Sequence, residues 1–306
     1  MRDLLDHLPQ SKQRELAHVV RVLFEEFGAV HARGNSKWAK QGRIFKIVLY
    51  GSYARGDWVD DPVGGYKSDY DILIVVSDDR LGDFEFWSPA EDRLMRDLTI
   101  TGVLTAPVNF IVHTLNDVNA QLERGRPFFI DIVEQGAALY EAEGFPFAQP
   151  RTLPFEETLA EAEANFSRWF SIAQRSLTTF KLQRAEGDDQ YWRNKAAFEL
   201  HQAVEQFYHC TLLTLSLYSP KSHRLNFLRS HCEEVAPELI AAWPRDDKFS
   251  RRCFDLLRQA YVNARYSPHY EISAEELRWL GERVGTLQAL VCEVCKRQIA
   301  SPEWKE

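Results

Sequence analysis

Apolar positions recur at Leu16, Val19, Val20, Leu23, Phe24 and Phe27, a helical spacing that predicts an amphipathic helix from Ser11 to His31. The period then changes. Ile47, Val48, Leu49 and Tyr50 form a short apolar run that stops at Gly51, as a buried strand does. Ile72 to Val76 continues without a polar break, which suits a strand covered on both faces. Between them, Trp58 to Lys67 carries D-D-P-V-G-G and predicts a surface loop. Pro89 to Leu98 predicts a helix opened by Ser88, and Ala106 to His113 a third strand. Leu115 to Arg124 and Phe128 to Glu134 read as helices, with a last short strand at Leu139-Tyr140 after Gly136. This order suits a small mixed sheet with helices packed against it.

Between Tyr140 and Glu156, three prolines and a glycine mark a linker. Beyond it the spacing is helical almost throughout: Phe155 to Leu182, Trp192 to Leu217, Arg224 to Val235, Phe249 to Arg265 and Ala274 to Ile299. Pro220, Pro237 and Pro268 fall in the turns. The expected fold is α+β, a mixed-sheet domain over residues 1–145 followed by an all-α bundle over residues 155–306.

Chemistry concentrates where the two predicted strands meet. Gly51 permits positive φ or a close backbone approach, and Ser52 offers a hydroxyl and an N–H to a phosphate oxygen. Asp69 and Asp71 stand two apart, so on a strand both side chains leave the same face. Such a pair is costly unless a hard divalent cation sits against it.

Gly51-Ser52 followed by Asp69-x-Asp71 and an apolar strand resembles the signature of the DNA polymerase β-type nucleotidyltransferase superfamily, with a longer spacer than its members usually have. The resemblance implies Mg2+ held by Asp69 and Asp71 and phosphates held at Gly51 and Ser52, with Arg55 and Lys67 as further phosphate partners. It implies ATP as substrate and attack by an acceptor hydroxyl on the α-phosphorus, giving an AMP adduct. Family members usually place a third carboxylate, commonly the general base, on the third strand. Asn109 stands at that position, where an amide can bind a metal through its oxygen, as a cofactor-binding residue, but cannot accept a proton at neutral pH. Three readings follow: a base from elsewhere, with Asp131 and Glu134 nearest along the chain; an acceptor needing little help; or nucleotide binding without turnover.

The second half resembles the HEPN domain, in Leu200-His201-Gln202-Ala203-Val204-Glu205, in Tyr218 to His223, and in Tyr261-Val262-Asn263-Ala264-Arg265-Tyr266 with the following Ser267 to Tyr270. Some such domains are ribonucleases that use an arginine and a later histidine across a dimer. Here Arg265 and His269 are separated by three residues, just short of the family spacing, and Pro268 ends the helix between them. His201 and Glu205 lie four apart and read as a buried polar pair, while Lys221, His223 and Arg224 read as a small anion site or a solvated turn. In paired systems of this kind the transferase adenylylates a tyrosine of its HEPN partner, toxin–antitoxin fashion, which makes Tyr266 and Tyr270 candidate acceptors. RNA or a small molecule such as an aminoglycoside are the other acceptors, and a homodimer through the helical half is expected by analogy.

Composition narrows the picture. A net charge of −8 over 306 residues argues against broad electrostatic capture of nucleic acid. The chain shows no signal-like opening and no membrane-length apolar run, and its five cysteines are scattered, which predicts a cytoplasmic protein. Cys292-x-x-Cys295 has metal-type spacing but sits in a helical stretch without a second pair, so packed core thiols are expected.

Overall fold

The protein is described here by a computed structural model covering residues 5–33, 41–61 and 66–300. Its backbone separates into two compact units, Met1–Leu153 and Pro154–Glu306. In the first, helix α1 (Gln10–Arg33) precedes strand β1 (Ile44–Tyr50), which is buried along its whole length. Gly51 opens a short helix, α2 (Gly51–Arg55), and takes φ of 71°, so the glycine supplies the left-handed backbone that the chain needs to leave the strand. Within the expected loop, β2 (Asp60–Asp61) pairs antiparallel with β3 (Tyr66–Lys67); residues 62–65 lie outside the described residues.

Strand β4 (Tyr70–Val76) is likewise wholly buried, as its unbroken apolar run requires. Helix α3 (Phe84–Arg96) begins five residues before Pro89, so Ser88 lies inside the helix and does not open it. The early start buries Phe86, Trp87, Ala90 and Leu94 on one face, a gain that outweighs the donor missing at Pro89. A π-type turn follows at Asp97–Thr101. Then come β5 (Val108–Thr114), α4 (Leu115–Glu123), α5 (Pro127–Gln135) and β6 (Ala137–Glu141). The Thr114 side chain caps α4 by accepting from the Asp117 backbone N–H.

The sheet order is β5-β4-β1-β6, with β4 and β5 parallel and the other pairs antiparallel. Tyr70, Ile72, Ile74 and Val76 enter the core shared with α1 and α3. By strand alternation, Asp71, Leu73 and Val75 take the other face. The segment after β6 folds back on α4: Asn119 accepts from the Ala148 N–H, and the Arg151 N–H donates to the Leu122 carbonyl at 3.0 Å.

The second unit holds five α-helices among the described residues: α6 (Phe155–Glu186), α7 (Gln190–Leu215), α8 (Leu225–Val235), α9 (Lys248–Tyr266) and α10 (Ala274–Ala300). Helix α7 is central. Leu200, Ala203, Val204, Phe207, Tyr208 and Cys210 all lie in the core, so its apolar residues surround most of the helix.

Gly136, between α5 and β6, sets how closely α5 meets the sheet. A Cβ there would lie 2.3 Å from the Ile132 carbonyl oxygen and 2.9 Å from the Val48 side chain. We expect Gly136→Ala to destabilise the first unit by about 1–3 kcal/mol, read as a lower midpoint in urea denaturation of the full chain.

Candidate active site and a polar cluster in the helical half

The site is built by register. Tyr50 on β1 stands opposite Asp71 on β4, and Asp71 stands opposite Asn109 on β5. Asp69 lies one residue before β4, half-buried, whereas Asp71 and Asn109 are buried. Asn109 Nδ2 donates to Asp69 Oδ2 at 2.7 Å, which ties the third strand to the first acid of the pair. Asp69, Asp71 and Asn109 thus form one polar layer, next to the strand that ends in the Gly51-Ser52 bend.

The two basic candidates make local contacts. Arg55 Nε lies 3.3 Å from Asp57 Oδ2, and Lys67 Nζ lies 3.3 Å from Asp60 Oδ1. Both pairs are partly exposed, and such pairs hold their partners by about 0–1 kcal/mol.

An aromatic contact that nothing in the sequence marks lies beside this layer. The Phe128 ring meets Tyr50 edge-on at 5.5 Å, which brings α5 against the strand end that carries the glycine turn. Asp131, three residues after Phe128, shares that flank of α5, while Glu134 is turned further round the helix. Both carboxylates, the nearest along the chain, are exposed on α5.

The helical half gathers its polar residues around Glu205 on α7. His201 Nδ1 lies 3.7 Å away, His209 Nε2 3.9 Å and His223 Nδ1 3.0 Å. His201 is fully buried, and Ser219 Oγ holds His209 Nδ1 at 2.6 Å. His201 and Glu205 are thus neighbours on one helix face, but at 3.7 Å they are not hydrogen-bonded. His223 turns toward Glu205 and stacks on Tyr261 at 4.6 Å. Burial, reinforced by the charges of His223 and Arg265, pushes the His201 imidazole down to about 3. Burial, reinforced by His223, pushes His209 down to about 4. Glu205 is pushed up by burial, with His223 acting against that rise.

Arg265 donates to the carbonyl of Tyr261, one turn back on its own helix, and its guanidinium lies over the rings of Phe198, Tyr261 and Tyr266. Helix α9 ends at Tyr266, and His269 follows in the exposed turn that Pro268 begins. The two candidate tyrosines separate sharply. Tyr266 is 74% exposed, whereas Tyr270 is 4% exposed and donates its hydroxyl to the Leu256 carbonyl. All five cysteines are free, and Cys295 is buried. Among the described residues no group of three His, Cys, Asp or Glu side chains could hold a metal ion, and no helix is long and apolar enough to cross a membrane.

Residues 166–293 match the HEPN domain family. A protein of Methanocaldococcus jannaschii named "Putative protein adenylyltransferase" is 36% identical over 100 residues, spanning 33% of this chain and 82% of that relative. That match covers the N-terminal region. The chain belongs to the nucleotidyltransferase family and carries a HEPN domain behind it. The HEPN match begins inside α6 and ends inside α10, so it takes in the whole Glu205 cluster.

We expect that cluster to make the HEPN domain acid-sensitive. His201 and His209 have folded values below their ordinary 6.5, so the unfolded chain binds protons that the folded domain excludes. Their stabilising contribution is complete above about pH 6.5 and is lost as the pH falls toward about 4. Glu205, raised, works in the opposite sense and offsets part of the loss. We expect the melting temperature to fall across this window with net proton uptake on unfolding, and His201→Leu to flatten the dependence. A melting temperature flat from pH 7 to pH 4.5 would contradict it.

Proposed function

We propose that the nucleotidyltransferase domain transfers AMP from ATP to an acceptor hydroxyl. The observation that carries this reading is the single layer of Asp69, Asp71 and Asn109 beside the Gly51-Ser52 bend. Two carboxylates backed by an amide are hard oxygen donors that fit Mg2+, with Asp69 and Asp71 as its holders. When bound, the ion would neutralise charge on the triphosphate and the departing pyrophosphate. The Gly51 backbone and Ser52 would hold the terminal phosphates. Arg55 and Lys67 can exchange their weak exposed partners for phosphate oxygens.

In the transfer, the acceptor oxygen bonds to the α-phosphorus while the bond from that phosphorus to pyrophosphate breaks. The acceptor proton must pass to a carboxylate, and Asn109 cannot take it. We assign it to Asp131, which stands one helical turn from Phe128, the residue whose ring meets Tyr50. Among acceptors we favour Tyr266, in the same chain or another copy. Its exposure makes the hydroxyl reachable, and the Arg265 guanidinium 5.1 Å from its ring would stabilise a newly attached phosphate. Adduct formation beside Arg265 would then restrain the HEPN domain, in the manner of a toxin held by its antitoxin.

One observation favours a second reading, nucleotide binding without turnover: Asn109 occupies the third-strand position and already donates to Asp69. Mass spectrometry after incubation with Mg-ATP separates the two. Transfer to the chain itself predicts a gain of one AMP unit, absent in Asp69→Ala and Asp71→Ala and strongly reduced in Tyr266→Phe. ATP consumed only when RNA or an aminoglycoside is added would move the acceptor off the protein. Thermal stabilisation by ATP with no pyrophosphate release under any condition would select the second reading.

A further inference from the structure

On the face of the sheet opposite the acids lies a buried charged network that the proposed chemistry does not touch. Lys12 and Glu15, on the first turns of α1, are only 6% and 7% exposed, and their charged ends are 3.8 Å apart. Glu15 accepts from the Tyr70 hydroxyl at 3.2 Å, from the Thr105 N–H at 2.9 Å and from the Thr105 hydroxyl at 2.7 Å. Lys12 donates to the Thr105 Oγ1 at 2.7 Å and sits 5.6 Å from the ring centres of Tyr53, Trp58 and Tyr70. Tyr53 and Tyr70 are fully buried, with their rings 4.3 Å apart.

Three partners of Lys12 and Glu15 belong to segments that carry the candidate site. Tyr53 lies on α2, one residue beyond Ser52. Tyr70 lies between Asp69 and Asp71, so strand alternation sends it to the opposite face from both acids. Thr105 leads into β5 and Asn109, and the Tyr70 N–H donates to the Pro107 carbonyl at 2.8 Å. Phosphate bend, acid pair and third strand are thus all attached to the same two charged side chains of α1.

Stability alone does not account for such a network. Apolar residues of similar volume would fill the space, and replacing a buried ion pair that way is often neutral or stabilising. What hydrogen bonds add is direction: they hold Tyr70 along one line and, through its backbone, set where Asp69 and Asp71 point. We propose that Glu15 is a positioning residue of the nucleotidyltransferase site, acting through Tyr70 to hold the two acids in the arrangement that receives metal and nucleotide. This inference rests on the transferase reading above. Glu15 touches neither substrate nor reacting atoms.

The test compares the full chain with Tyr70→Phe, which keeps the ring and removes only the hydroxyl, with Glu15→Gln, and with Asp69→Ala as the inactive reference. Pyrophosphate release from ATP is followed against Mg2+ concentration, with melting temperature measured in parallel. We expect both positioning variants to stay folded, to lose about ten- to a hundredfold in kcat, and to need several-fold more Mg2+ for half-maximal rate. Wild-type kcat and Mg2+ dependence in both variants, with only a lower melting temperature, would overturn the positioning role and leave the transferase reading intact. A wild-type chain no more active than Asp69→Ala would remove both together.

Discussion

Two carboxylates on one face of a buried sheet repel each other, and the first unit is arranged around that repulsion. Asp71 is buried between two paired strands, and Asp69 stands beside it at the strand mouth. Asn109 relieves part of the strain by giving Asp69 an amide hydrogen, something a third carboxylate could not do while ionised. In the transferase reading proposed above, this end of the sheet is where a cation and a polyphosphate would sit.

The surroundings keep the acids from relaxing apart. Strands β1 and β4 are buried along their whole length, so a one-residue slip of β4 would turn Asp71 into the apolar core that Tyr70 and Ile72 now fill. From one side α1 reaches Tyr70, and from the other the Phe128 ring of α5 meets Tyr50. A site assembled from three strands and two helices in this way keeps its geometry without depending on a long flexible loop.

The HEPN domain solves a related problem differently. It buries an ionisable cluster in the middle of a helical bundle, where Glu205 is shared among three imidazoles and two of them are driven neutral. The exposed rim of that cluster is aromatic and cationic, with Arg265 over Phe198, Tyr261 and Tyr266. Buried imidazoles and an exposed guanidinium thus lie within a few residues of one another around Tyr261.

Much of this was legible in one dimension. The apolar run before Gly51, the D-x-D before Ile72 and the helical periodicities after Phe155 each report a local preference, and local preferences survive in sequence. The early start of α3 was not legible, because burial of Phe86 and Trp87 overrode the usual meaning of Ser88-Pro89. Nor were the partners of the site residues. Glu15 and Thr105 are 90 positions apart, Asn109 and Asp69 are 40, and His223 and Glu205 are 18. Residue types and spacing marked Gly51, Ser52, Asp69 and Asp71 as candidates for chemistry, but not the short helix Gly51–Arg55 or the pairing of β2 with β3 that carries Lys67. Only the tertiary structure decided which of them meet, and it parted Tyr266 from Tyr270 by exposure, because contact and burial depend on how distant segments pack and not on the spacing within any one of them.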